Sequence, residues 1–328
     1  MAPSHSVVAN SVAITANELT RTFTTGRRSS RRTVEAVAGI SFEVAHGERL
    51  AFIGPNGAGK STSIKMLTGI LHPTAGTASV LGFVPWRERR ELAARIGTLF
   101  GQRSQLWQEL SPRASYRMLG AIFGLPDDRI DSRLGQLGEL LEASDLFDQP
   151  VRTLSLGQRM RCELTACMLH EPELLFLDEP TIGLDLLGKQ LFRDLLVTLN
   201  DELGTTVFLT SHDVADIERV ADRAIVVNHG AIIHDAAVST MRRSLLATKR
   251  IEVGFDLPVD EHLITEVVGT GVEVSMPTAE SAHLDVPTGE LPVGDVLHRV
   301  LDELPVADLS VIDPPLEQVI AEIYQRPP

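Results

Sequence analysis

Residues 49–62 read RLAFIGPNGAGKST, and the fold turns on how this stretch is read. An apolar strand, RLAFI, enters a glycine-rich turn and then a helix predicted from Lys60 to about Thr68. The nine residues Gly54, Pro55, Asn56, Gly57, Ala58, Gly59, Lys60, Ser61 and Thr62 fit the pattern GxxxxGK[ST] in its required strand–turn–helix setting. Glycines let successive backbone N–H groups turn inward around the β- and γ-phosphates of a nucleotide. Lys60 adds a mobile positive charge, and Ser61 offers its hydroxyl to magnesium. A nucleoside triphosphate is therefore the expected ligand.

Two further stretches belong to the same chemistry. Residues 174–180, LLFLDEP, end an apolar strand in two adjacent acids, Asp178 and Glu179. Neighbouring strand positions face opposite ways, so the two carboxylates can serve different ends. Asp178 is expected to orient magnesium, and Glu179 to polarise an attacking water as general base. Residues 154–158, LSLGQ, place Ser155 and Gly157 at a predicted helix start suited to an anion. No lysine, arginine fork or metal-ligand pair adjoins them, so they form half of a site. Something else must bring the phosphate.

Outside these motifs the chain reads as an ordinary globular protein of 328 residues, 43% hydrophobic. Its net charge of −14 is uneven: residues 1–249 carry 27 Lys/Arg against 28 Asp/Glu, and residues 250–328 carry 3 against 16. That step predicts a domain boundary near Lys249 and argues against nucleic acid as a ligand of the tail. The spacing of Cys162 and Cys167 fits neither a redox pair nor a zinc half-site, and suits two small apolar fillers of one helix. No signal sequence and no spanning apolar segment is apparent, so a chain neither secreted nor membrane-spanning by itself is expected.

Residues 1–15 are expected to be disordered. Strands are predicted at 16–23 and 34–44, joined by the arginine-rich TTGRRSSRRT, and a helical insert at about 103–160 interrupts the strand signals. ELLFLDE, TTVFLTSH and AIVVNHG then alternate with helices, which predicts a largely parallel α/β core. Beyond it, RIEVGF, VEVSM, AHLDV, DVLHRVLDEL and PLEQVIAEIY predict a small acidic α+β domain.

The order GPNGAGKST, Gln102, LSLGQ, LLFLDEP, GLD and His212 is similar to the ATP-binding subunit of ABC transporters, over about residues 16–240. The resemblance implies a P-loop α/β ATPase core over 16–245, with a helical and an antiparallel β subdomain, followed by an accessory domain over 246–328. It also answers the half-site. Two such subunits stack head to tail, so that Ser155, Leu156, Gly157 and Gln158 of one close over the ATP of the other, the helix dipole aimed at the γ-phosphate. The same resemblance gives Gln102 a place beside magnesium and the attacking water, His212 a γ-phosphate contact, and Asp185 of GLD a coupling role across the dimer. Phe23 takes the place of the aromatic that stacks on adenine, or is a strand-end core residue. Leu156 stands where the family's LSGGQ has glycine, which removes access to positive φ there.

The implied function is ATP hydrolysis, with magnesium, at the cytoplasmic face of a membrane, driving separate membrane-spanning subunits. Export is preferred over import because DLSVIDPPLEQVIAEIY resembles the tail of drug-, antibiotic- and polysaccharide-export ATPases. One rival is a non-transport ATPase of the same type acting on ribosomes or DNA; those carry two cassettes or long coiled coils, and neither is apparent here. A second rival is a regulatory nucleotide-binding protein without turnover, which Lys60, Glu179 and His212 together argue against. The resemblance also implies that a short cytoplasmic helix of the membrane subunit docks on the segment from Gln105 to Leu119, which contains LWQELSP with Leu106 and Trp107 read as exposed; alternatively, Trp107 is core of the helical insert.

Overall fold

The structure is a computed structural model that describes residues 12–25, 32–100, 104–245, 248–288 and 291–312. It divides into two compact units, residues 1–235 and 236–328. The division lies ahead of the charge step near Lys249, because packing and not composition sets it.

The first unit contains β1 (Val12–Thr25), β2 (Arg32–Ala45), β3 (Arg49–Ile53), α1 (Lys60–Leu67), β4 (Ala75–Val80), α2 (Arg89–Ala93) and β5 (Ile96–Phe100). There follow α3 (Pro112–Phe123), α4 (Asp127–Leu140), α5 (Leu156–Met168), β6 (Leu174–Asp178), α6 (Leu186–Leu203), β7 (Thr206–Ser211), α7 (Val214–Val220), β8 (Arg223–Asn228) and β9 (Ala231–Ala237). A six-stranded sheet runs β5-β6-β7-β3-β8-β9, with the pairs from β5 to β8 parallel. Its central strands are buried along nearly their whole length, as strands covered on both sides must be. A second sheet, β2-β1-β4, is antiparallel. Four phenylalanines, Phe42, Phe52, Phe176 and Phe208, lock β2 to the parallel strands, with ring centroids 5.4–6.1 Å apart. Such aromatic pairs add about 0.5–1.5 kcal/mol each beyond area burial.

Residues 12–15 correct an expectation. They are not disordered but begin β1, where buried Ala13 and Ile14 pair toward β2 and β4. The arginine-rich tip at 26–31 lies outside the described residues, as do residues 1–11 and the tail segment PLEQVIAEIY. Leu106 is also corrected: it is buried in the core that α3, α4 and α5 share with Tyr116, Leu134 and Leu137, whereas Trp107 is exposed. Cys162 and Cys167 are free and buried in that same core, as fillers. Burial pushes their thiols up to about 11 and about 12.

The second unit holds α8 (Val238–Leu245), β10 (Thr248–Phe255), α9 (Glu261–Val268), β11 (Glu273–Thr278), β12 (Ser281–Pro287), α10 (Val293–Glu303) and β13 (Val306–Ile312). Its sheet, β11-β12-β10-β13, is antiparallel. Alternate residues Ile251, Val253 and Phe255 face one core with Leu284, Val286, Ile264, Val296 and Val300. The apolar stripe of α10 is thereby consumed inside the unit.

The ends of β6 and β7 are held by a buried anion. Asp216 on α7 is fully buried and pairs with Arg193 on α6, Nε to Oδ1 at 2.6 Å. Its Oδ2 accepts from the Thr181 and Ser211 hydroxyls at 2.6 and 2.7 Å. Thr181 lies two residues beyond Glu179, and Ser211 immediately precedes His212. Removing one partner of a buried pair strands the other charge, so Asp216→Ala should lower stability by about 3–5 kcal/mol in urea unfolding. A loss under about 1 kcal/mol would show the network to be dispensable.

Candidate functional site

Parallel register explains why distant residues meet. Ile53 lies beside Ser211, and Asp178 beside Thr210, so β3, β6 and β7 end at one edge of the sheet. Ligands of open α/β sheets bind in the crevice at such carboxyl ends. The segments leaving that edge are the turn 54–59, Glu179 with Pro180, and His212.

The turn wraps tightly on its surroundings. Gly59 sits at φ +106°, and a Cβ there would meet the Ala36 carbonyl oxygen at 2.5 Å, so only glycine fits. No side chain caps the N-terminus of α1, which leaves its first amides to an external acceptor. Lys60, the first residue of α1, is buried, and its ammonium donates to the Gly54 carbonyl oxygen at 2.6 Å. The same ammonium is 3.1 Å from Glu179 Oε1.

Asp178 and Glu179 point to different partners, as adjacent strand-end residues should. Asp178 Oδ1 accepts from the Ser61 hydroxyl at 3.0 Å and from the Thr210 hydroxyl at 2.7 Å. Two hard oxygen ligands, Ser61 Oγ and the Asp178 carboxylate, thus stand together, a donor set that fits magnesium. Glu179 lies between Lys60 and His212, whose Nδ1 is 2.5 Å from Glu179 Oε2. Its backbone is at φ +53°, unusual for a residue with a side chain. The Glu179 N–H donates to the Thr210 carbonyl and hydroxyl oxygens, both at 3.1 Å, and so holds this conformation. Thr210 was missed in the sequence. It stands two positions before His212, and nothing local marks its double use.

The second group forms elsewhere on the unit. Ser155 caps α5 in a capping box: its Oγ accepts from the Gln158 N–H at 3.2 Å, and Gln158 Oε1 accepts from the Ser155 N–H at 2.8 Å. Leu156, Gly157 and Asp185 line the same concavity of about 430 Å³, between α5 and the start of α6. Asp185 Oδ1 caps α6 by accepting from the Gly188 N–H at 2.8 Å. No residue lining this concavity belongs to the Lys60, Asp178, Glu179 and His212 group.

Leu156 resolves the expected difficulty at its position. It is the first residue of α5 and is absent from the positive-φ residues of the chain, so a side chain costs no strain there. Its Cδ2 lies 3.2 Å from where a Cβ of Gly183 would stand, against the GLD segment. Gln102 lies outside the described residues. Phe23, on β1 opposite Val34, carries the Arg21 guanidinium 4.6 Å above its ring.

Comparison with known proteins places this geometry. The family model described as ABC transporter matches residues 37–182. The daunorubicin/doxorubicin resistance ATP-binding protein of Streptomyces peucetius is 32% identical over 296 residues, 89% of this chain and 88% of that protein. The Nod factor export ATP-binding protein I of Rhizobium sp. (strain N33) is 35% identical over 217 residues, 66% of this chain and 71% of that one. Among solved structures, cbiO1 from Clostridium perfringens, part of the ABC transporter complex cbiONQ, superposes with a TM-score of 0.61 at 27% identity, covering 72% of this chain and 95% of its own. A phosphate loop, an acidic strand end and a serine-capped helix on one α/β unit, matched over most of the chain by such relatives, make this protein a member of the ABC transporter ATP-binding family and an ATPase.

Proposed function

We propose that the chain energises an exporter, working as a head-to-tail dimer on separate membrane-spanning subunits at the cytoplasmic face of the membrane. One observation carries the reading. The Ser155–Asp185 concavity and the Lys60–Glu179–His212 cluster share no residue on one chain. A second copy completes both. The named functions of the relatives, drug resistance and Nod factor export, support export over import. Among the described residues no helix is long and apolar enough to cross a membrane, so the spanning path is assigned to other chains.

In this reading Gly54 to Thr62 cradle the β- and γ-phosphates through backbone amides and Lys60, and Phe23 stacks on adenine. Ser61 and Asp178, joined by Gln102 as the resemblance implies, would hold magnesium, which would screen phosphate charge. Ser155 and Gly157 of the second copy, flanked by Leu156 and Gln158, reach the γ-phosphate, and Asp185 couples the two sites. Among the described residues, the Lys60 and His212 side chains each bring a nitrogen to the Glu179 carboxylate. A γ-phosphate competes for both and frees the Glu179 carboxylate. Glu179 then accepts a proton as water oxygen bonds to the γ-phosphorus and the bond to the bridging oxygen of ADP breaks. Binding closes the dimer, and hydrolysis reopens it.

The exposed apolar residues Trp107, Leu110, Met118 and Ile122, on α3 and just ahead of it, offer the docking surface for the membrane subunit. Buried Leu106 belongs to the fold and not to that surface. Trp107→Ala with Ile122→Asp should abolish co-purification of the membrane partner while the ATPase rate of the isolated chain survives. Unchanged co-purification would move the docking surface elsewhere.

Glu179→Gln should retain ATP binding and lower turnover by about two to four orders of magnitude. Near-normal phosphate release would remove Glu179 from the role of base. Mixing Ser155→Arg chains with Lys60→Ala chains places both defects in one composite site and leaves the other intact. Activity should return only in the mixture. No recovery from proven mixed dimers would contradict completion by a second copy.

A further inference from the structure

Residues 104–105 are bound to the serine-capped helix through the buried carboxylate of Glu163. Glu163, on α5, is 2% exposed, and among the described residues no lysine, arginine or histidine forms an ion pair with it. Its Oε1 accepts from the Ser104 hydroxyl, and its Oε2 accepts from the Gln105 N–H at 3.0 Å. Gln105 in turn donates through Nε2 to the Thr98 carbonyl oxygen on β5 at 2.7 Å, and to Cys167 Sγ on α5 at 3.1 Å. A buried anion answered mainly by the Ser104 hydroxyl and the Gln105 amide, with smaller help from Arg159 and the Leu106 amide, is a costly way to hold a loop. Burial holds the pKa of this carboxyl above the ordinary glutamate range, against the pull of those donors. An apolar residue would pack there without that cost. What the carboxylate supplies is two acceptors in fixed directions, which an apolar side chain lacks and an amide only half provides.

We propose that Glu163 is a positioning residue that makes residues 104–105 and α5 one rigid body, so that displacement of the loop is delivered to Ser155 and Gly157 at the helix start. Ser155 and Glu163 stand eight positions apart on α5 and its cap, about 12 Å along a stiff element. The loop continues within two residues to exposed Trp107 and then to α3. Glu163 therefore stands between the apolar surface around Trp107 and the half-site that closes over a neighbour's ATP. The inference rests on the reading of Ser155 and Gly157 as ligands of a second copy's nucleotide. ATP is gripped by the phosphate loop, so loss of the clamp should spoil turnover and leave nucleotide affinity alone.

The test compares full-length wild type, Glu163→Gln, Ser104→Ala and the double variant by kcat, KM for ATP with magnesium, and thermal unfolding. Glu163→Gln should lower kcat about 10- to 100-fold at unchanged KM, the scale expected for a misplacement of about 1 Å. Ser104→Ala should lower kcat less, and the double variant should be no slower than Glu163→Gln alone, since the hydroxyl acts through the carboxylate. A kcat within about twofold of wild type for Glu163→Gln, or additive losses in the cycle, would overturn the proposal. Should Glu163→Gln fail to fold, Ser104→Ala decides: reduced kcat at unchanged KM supports the clamp, and wild-type kcat refutes it. Recovery in the Ser155→Arg and Lys60→Ala mixture shows whether the parent reading holds, so a wild-type Glu163→Gln beside such recovery sinks this inference alone.

Discussion

Parallel register at the carboxyl ends of β3, β6 and β7 is the constraint on which the rest of the site depends. It sets Ile53 against Ser211 and Asp178 against Thr210, so three loops far apart in the chain emerge side by side. Backbone pairing fixes the loops only where they leave the sheet. Beyond that edge, the Asp216 carboxylate ties Thr181 and Ser211 to one buried point, and Thr210 holds Glu179 at its positive φ. The reactive groups are therefore placed by polar contacts that themselves touch no phosphate.

Polar anchoring of this kind is costly, and its location is informative. Arg193 and Asp216 neutralise each other with two hydroxyls in support, while Glu163 forms no ion pair among the described residues and is answered mainly by a hydroxyl and an amide. Both buried carboxylates fix loops that flank the helical part of the unit or the ends of its strands. The phenylalanine cluster between the two sheets, by contrast, is apolar and close-packed. Charge is spent where a direction must be held, and apolar area where only contact is required.

Much of the fold was legible because its signals are local. Strand β3, the glycine turn and α1 are contiguous, and LLFLDEP announces a buried strand with acids at its end. The capped start of α5 was visible in LSLGQ, since a capping box spans four adjacent residues. What was not legible arises from contacts across the chain: Glu163 meets Ser104 at a separation of 59 residues, and Arg193 meets Asp216 at 23. Leu106 read as exposed because it stands beside Trp107 among polar residues. Its neighbours Ser104 and Gln105 are held by Glu163, and it packs into the core instead. Residues 12–15 read as disordered because a short run of small and apolar residues shows no pattern until β2 and β4 supply partners. At Leu156 the sequence raised a conformational objection that a helical backbone removes.

The central claim is that a catalytic site is complete only when two copies meet, the Ser155 end of one α5 closing the phosphate site of the other. A crystal or electron cryomicroscopy structure of the Glu179→Gln chain with ATP and magnesium tests it most directly. The account predicts a two-fold dimer with two nucleotides. In each site Ser155 Oγ and the Gly157 N–H of one copy should lie within hydrogen-bond distance of a γ-phosphate held by Lys60 of the other. A closed complex in which each ATP is contacted by residues of a single chain would contradict it.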